Sequence, residues 1–168
     1  MRKLIVTSIA LCAAALATQA IAQAPAPAPA PAPLPVYGET INLDQAKKAA
    51  GAAQEFAAKN GWAMAITVVG PTGDLVYFQK MDNTQFASIA ISQHKARAAA
   101  TFRRPTKVFE DRIATPAGVP AITLDGVIGS EGGIPIVVGG KIVGAMGCSG
   151  GTGQQDGQTC QAAVDAMK

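Results

Sequence analysis

The chain has 168 residues, with 14 basic and 11 acidic side chains, one histidine and three cysteines. Residues 1–22 have the pattern of a secretory signal peptide: a basic start, an apolar run over 4–16 and small residues Ala20 and Ala22 at a cleavage site. Cleavage removes Arg2 and Lys3 and leaves a nearly neutral chain, which argues against nucleic-acid binding. The apolar run is too short to span a bilayer comfortably, so we expect no integral membrane segment after cleavage.

The region after the cleavage site is a linker over residues 23–36, in which 24–33 are Ala-Pro repeats. Proline fixes φ and favours polyproline II, so we predict that this linker is an extended spacer. The remaining residues, 37–168, are predicted to form a single domain. Two cysteines remain after cleavage, Cys148 and Cys160. In an exported chain they are candidates for a disulfide, and the alternative is two reduced, buried cysteines, since their spacing alone does not give the distance between them. We expect a periplasmic or secreted protein.

The first half of the domain has the pattern of a helix followed by a hairpin. Asn42 and Gln45 have the spacing of a capping box, and Asn60-Gly61 is typical of a helix end. Residues 62–69 and 74–80 are rich in β-formers and flank a turn that contains proline and glycine. These signals predict one helix and one antiparallel hairpin.

The second half begins with a predicted helix over 85–104, which Pro105 ends, and a helical turn over 106–112. Residues 113–131 are predicted to be an irregular loop. Strands over 134–138 and 141–146 flank Gly139-Gly140, and a capping box at Thr152 starts a last helix over 154–167. The order α-β-β-α-loop-β-β-α predicts an α+β fold with an antiparallel or mixed sheet flanked by helices.

The glycine loop that follows the last strand is the first candidate site, and it contains Gly147, Ser149, Gly150 and Gly151. Its glycines allow close backbone approach, either by another chain segment or by a ligand such as an anion at the helix start. The loop matches the G-x-S-x-G nucleophile pattern, but a hydrolase needs its histidine after the serine, and His94 lies before it. We therefore interpret Ser149 as a loop or capping hydroxyl and predict no catalytic residue.

The single histidine, His94, is the second candidate site. It excludes a multi-histidine metal centre but permits one axial ligand to haem iron; an exposed helix position is the alternative interpretation. A basic stretch follows it, and Lys95, Arg103 and Arg104 could bind carboxylates such as haem propionates. A solvated or subunit-bridging face fits the same residues.

The sequence also resembles a known family. Four segments, taken in order, resemble the GlcG/HbpS family, and the resemblance covers nearly all of residues 41–168. They are GWAMAITVVGPTGDLVYFQKMD, Ser88 with KARAA, FRRPT, and GGIPIVVGGKIVGAMGCSGGTGQQD. The chain departs from that family at Gly70, where an Asp is usual, and at Gly157, where Q-D-E is usual. The family implies a compact domain that assembles into homo-oligomers, with haem binding in some members.

We therefore expect an exported, oligomeric haem- or tetrapyrrole-binding protein, in which His94 is the candidate iron ligand. The alternatives are an accessory protein or enzyme that acts on a small carboxylate or degrades haem, and an oligomeric scaffold without a ligand. Asp82 and Asp156 are the acid–base candidates if the protein is an enzyme.

Overall fold

The computed structural model describes residues 32–168. The predicted signal peptide and most of the predicted linker lie outside this part of the chain. The helices are α1 (Leu43–Lys59), α2 (Ala87–Thr101), α3 (Lys107–Ile113), α4 (Val119–Ile122) and α5 (Gly153–Asp165). The strands are β1 (Val36–Tyr37), β2 (Ala65–Val69), β3 (Leu75–Lys80), β4 (Gly133–Val138) and β5 (Lys141–Ser149).

One mixed sheet organises the domain, and β5 lies at its centre. β5 pairs antiparallel with β4 along one edge and antiparallel with β2 along the other, and β2 pairs with β3. The short β1 pairs parallel with the first two residues of β5. The predicted α+β class, the two hairpins and their order are therefore confirmed, with β1, α4 and a 3₁₀ turn at Pro116–Gly118 added.

The second hairpin turns as its sequence predicts. Gly139 and Gly140 have φ of +56° and +77°, which residues with a Cβ rarely adopt. Both predicted capping boxes are also present: Asn42 and Gln45 at the start of α1, and Thr152 and Gln155 at the start of α5.

The two faces of the sheet carry different helices. α1 and α5 cover the face on which Met146 and Cys148 are buried, whereas α2 covers the face that contains Ala145. The buried side of α1 consists of alanines (Ala46, Ala49, Ala50, Ala53, Ala57). Such small side chains let the helix backbone approach the sheet closely. Among residues 32–168, no helix is long and apolar enough to cross a membrane.

Candidate functional site

The glycines around the end of β5 bring segments of the chain itself close together. A Cβ on Gly147 would lie 2.6 Å from the backbone nitrogen of Ala96 on α2, and one on Gly150 would lie 3.0 Å from the carbonyl carbon of Ala63. These separations are shorter than van der Waals contact. Of the two roles that the sequence left open for this loop, the structure shows the first: close packing against neighbouring backbone.

Ser149 belongs to a buried polar seam between the sheet and α2. Its hydroxyl donates a hydrogen bond of 3.1 Å to the Ser88 hydroxyl, and its exposed fraction is 3 %. A second pair in the same seam joins the hydroxyls of Thr67 and Ser92 at 2.9 Å. Ser149 therefore satisfies a buried hydrogen bond, as expected of a structural hydroxyl.

A salt bridge lies at the start of α5. Lys95 Nζ donates to Asp156 Oδ2 at 2.7 Å, and the two side chains are 1 % and 3 % exposed. The other carboxylate oxygen of Asp156 accepts the backbone N–H of Gly151 at 3.0 Å. Burial raises the pKa of Asp156 above its ordinary value, while Lys95 and the N–H donors of the glycine loop oppose that rise.

The position of Asp156 bears on whether an external anion binds at this helix start. A helix N-terminus with free backbone N–H groups attracts anions. Here the carboxylate of Asp156 accepts the N–H of Gly151, one residue before the helix cap, and pairs with the ammonium group of Lys95. The chain's own carboxylate is thus one partner of the glycine loop, and the anion site there stays a prediction.

The basic residues predicted to meet propionates are separated in the structure. Lys95 is buried against Asp156, so its expected role at a surface does not hold. Arg103, with φ of +57°, places its guanidinium 5.5 Å from the centroid of the Tyr37 ring. Arg104 Nε donates to the carbonyl of Phe102 at 3.0 Å, and both arginines remain partly exposed at the end of α2.

His94 lies on the exposed face of α2. Arg97 is on the same face three residues later, about 5 Å along the helix axis. At the start of the helix the Phe86 side chain is 84 % exposed. An imidazole, a guanidinium and an aromatic ring thus share one accessible surface, which we call the α2 face. Sequence reasoning did not single out Arg97, although its spacing from His94 is a readable signal.

The two cysteines of the domain, Cys148 and Cys160, form a disulfide in the structure and are fully buried. It joins the end of β5 to the middle of α5. Asp156 lies four residues before Cys160, one turn earlier on α5. The disulfide and the salt bridge therefore fix the same part of α5 against the rest of the domain.

The elements described here define a three-layer α+β domain: a helix pair, an open sheet, and a single helix that carries the accessible imidazole. The family model described as "Haem degrading protein HbpS-like" matches residues 41–165, and the chain belongs to that family. The resemblance identified in the sequence is thereby confirmed.

Relatives support this membership. Protein GlcG of Escherichia coli K12 is 40 % identical over 98 residues, which are 58 % of this chain and 72 % of GlcG. A double mutant of HbpS from Streptomyces reticuli has a structure with a TM-score of 0.71 and 28 % identity, covering 83 % of this chain and 99 % of HbpS. The structure of a PduOC–haem complex, at 22 % identity, shares the fold with a TM-score of 0.68 over 76 % of this chain and 94 % of PduOC.

Proposed function

We propose that this chain is an exported haem-binding protein that works as a homo-oligomer. The observation that carries the proposal is the match of residues 41–165 to the HbpS-like family, and His94, exposed on α2, is the residue that could reach haem iron. A structural relative, PduOC, is described in complex with haem. The N-terminal pattern and the disulfide both support export, because disulfides persist in oxidising compartments.

The α2 face has the chemistry that haem requires. Haem iron accepts an imidazole nitrogen, and His94 offers one. The propionates need cationic partners, and Arg97 is the nearest exposed one on α2, with Arg103 just after the end of the helix. The exposed Phe86 ring and the small Ala90 side chain provide apolar surface for the macrocycle. When bound, haem would supply redox or ligand-binding chemistry; the chain's own residues would hold and orient it.

The shape of this surface supports the proposed self-association. A single helix face covers only one side of a flat macrocycle, so burial of the other side needs a second surface. Another copy of the chain would supply one. Several large apolar side chains that are exposed in the single chain are available for such contacts: Phe86, Val108, Val119, Ile122 and Leu124.

The test is a haemin titration of residues 23–168, followed by the Soret band. We expect saturable binding with a shifted Soret band that His94→Ala alters or abolishes. Lys47→Ala, an exposed substitution on α1, is the matched control and should behave as the parent chain does. An unaltered Soret shift in His94→Ala would remove the iron-ligand role, and no saturable binding would remove the function.

Haem degradation is the second candidate, favoured by the description of the family. Asp156 is a poor acid–base candidate because it is buried in a salt bridge, whereas Asp82 is exposed. Incubation of the haem-loaded protein with a reductant and oxygen, followed by product analysis, separates the two functions. An intact macrocycle identifies a binding protein, and ring-opened products identify an enzyme.

A further inference from the structure

A groove of about 330 Å³ lies on the opposite side of the sheet from the α2 face, beside α1 and α5. Its apolar lining comes from Phe56 on α1, Ile134 on β4 and Ala162 on α5. One acidic side chain, Glu131, also lines it. The groove therefore combines an apolar body with a single carboxylate.

Gly157 creates the space that Glu131 occupies. A Cβ at position 157 would lie 2.7 Å from Glu131 Cγ and Cδ, so any side chain there would displace the carboxylate. The carboxylate of Glu131 therefore lies directly against the backbone of α5.

The charge of Glu131 is not neutralised by a close cation. Among the described residues, no lysine or arginine nitrogen lies within 4.0 Å of its carboxylate. Its backbone N–H donates to Glu110 Oε2 at 2.7 Å, which adds a second negative group nearby. Burial, with Glu110 second, raises the pKa of Glu131, while the more distant Lys107 and Lys95 oppose that rise. A partly buried carboxylate without a salt bridge in an apolar groove is stabilised by a ligand that brings a positive charge.

The aromatic wall of the groove suits the same ligand. Phe56 lines the groove and packs edge-on against Trp62, with ring centroids 6.1 Å apart. Aromatic faces attract organic cations, and carboxylates accept their N–H groups. Gln158 and Gln161 provide further polar atoms along the rim.

We propose that this groove binds a small organic ammonium ion, with Glu131 accepting from the ammonium group and Phe56 contacting the alkyl body. The site is independent of haem binding, since it lies on the other face of the sheet. Charge complementarity selects this class of ligand over a carboxylate or a neutral apolar molecule.

The experiment uses Trp62, the only tryptophan of the chain, as a local reporter. The haem-free protein is titrated with n-pentylammonium chloride while tryptophan fluorescence and calorimetric heat are followed. 1-Hexanol, of similar length and uncharged, is the control ligand. We expect saturable binding of the ammonium ion that is at least about tenfold tighter than that of the alcohol, as for a hydrogen bond to a charged group.

Two variants locate the site. Glu131→Gln keeps the shape and removes the charge, and it should weaken ammonium binding about tenfold or more. Glu55→Gln, an exposed carboxylate on α1, is the matched control and should leave binding unchanged. Gly157→Ala should also weaken binding, because its methyl group displaces the flexible end of Glu131 while the helix remains intact.

Three results would overturn the proposal. One is equal binding of the ammonium ion and the alcohol, or no saturable binding of either. Another is unchanged affinity in both Glu131→Gln and Gly157→Ala. The third is apparent affinity that weakens as protein concentration is raised tenfold, which would mean that a second copy of the chain competes for the groove.

Discussion

Lys95 on α2 and Asp156 on α5 lie on helices that cover opposite faces of the sheet, yet their side chains meet in a buried salt bridge of 2.7 Å. The salt bridge lies beside Gly132. A Cβ added at position 132 would lie 3.0 Å from Lys95 Nζ and 2.8 Å from Asp156 Cβ. Gly132 has φ of +126°, so a residue with a side chain would be strained there as well as too large. The pair thus ties two layers of the domain together around the start of β4.

Loss of Lys95 should be costly. Lys95→Met leaves a buried carboxylate without its partner, and we expect a loss of about 3–5 kcal/mol in the free energy of unfolding. The measurement is denaturant unfolding, with Lys48→Met on the exposed side of α1 as control. Adding Asp156→Leu should recover part of the loss only, because the Gly151 N–H then lacks its acceptor. A change below about 1 kcal/mol in Lys95→Met would contradict a stabilising role.

The same variant should depend on pH in a definite direction. Burial already raises the pKa of Asp156 above 3.8, and removal of Lys95 takes away a group that opposes the rise. A carboxyl with a raised pKa in the folded state binds its proton more tightly there than in the unfolded chain. Stability relative to the parent chain should therefore fall as pH rises above about 4. Unfolding of Lys95→Met at pH 5 and pH 8 checks this; a larger deficit at pH 5 would be the wrong sign.

Gly147→Ala should destabilise the domain. Its methyl group would overlap the backbone of α2 at Ser92 and Ala96, which cannot move without separating the helix from β5. We expect a loss of about 3 kcal/mol or more, or failure to fold. Gly51→Ala on α1 is the matched control, since nothing lies within 4 Å of its Cβ position. That control should gain about 0.5–1 kcal/mol, and comparable losses in both would refute the close-packing explanation.

The disulfide should contribute to stability. Cys148 and Cys160 are separated by 12 positions, and a link over such a loop is worth about 3 kcal/mol through the entropy of the unfolded chain. Cys160→Ala, or unfolding in the presence of a thiol reductant, should show that loss. Thiol titration of unfolded residues 23–168, purified without reductant, should find no free cysteine. Two free thiols in that chain would count against the link.

The affinity of the groove for the ammonium ion should also depend on pH. The ligand needs an ionised carboxylate. Burial, Glu110 and Asp111 raise the pKa of Glu131, and the opposing charges of Lys107 and Lys95 do not cancel the rise. Affinity should therefore decrease on acidification at a pH above that expected for an exposed glutamate. Calorimetric titrations across pH 4–8 measure this decrease. A constant affinity over the range would mean that Glu131 does not carry the interaction.

The sequence predicted the parts of the fold that local chemistry specifies. The Gly139-Gly140 turn and the capping boxes at Asn42 and Thr152 follow from backbone conformation and neighbouring hydrogen bonds, and all three are present. The two-residue strand β1 was missed because so short a segment has no periodicity. The helix predicted over 85–104 is observed as Ala87–Thr101. It ends before Pro105 because Arg103 adopts a left-handed conformation.

The candidate site was predicted less completely, because its contacts join distant parts of the chain. Lys95 looks like one member of a basic stretch, and nothing local indicates that it pairs with a residue 61 positions away. Glu131 lies in a segment predicted to be irregular, and its position over Gly157 depends on how β4 and α5 meet. The exposure of His94 was one of the two interpretations that the sequence left open.

The most direct test of the proposed function is the absorption spectrum of the protein purified from the cells that make it, with its N-terminus sequenced. The proposal predicts an N-terminus at Gln23, an oligomer, and a Soret band that is altered or lost in protein carrying His94→Ala. A processed, folded protein that has no Soret band, and that fails to bind added haemin, would contradict it.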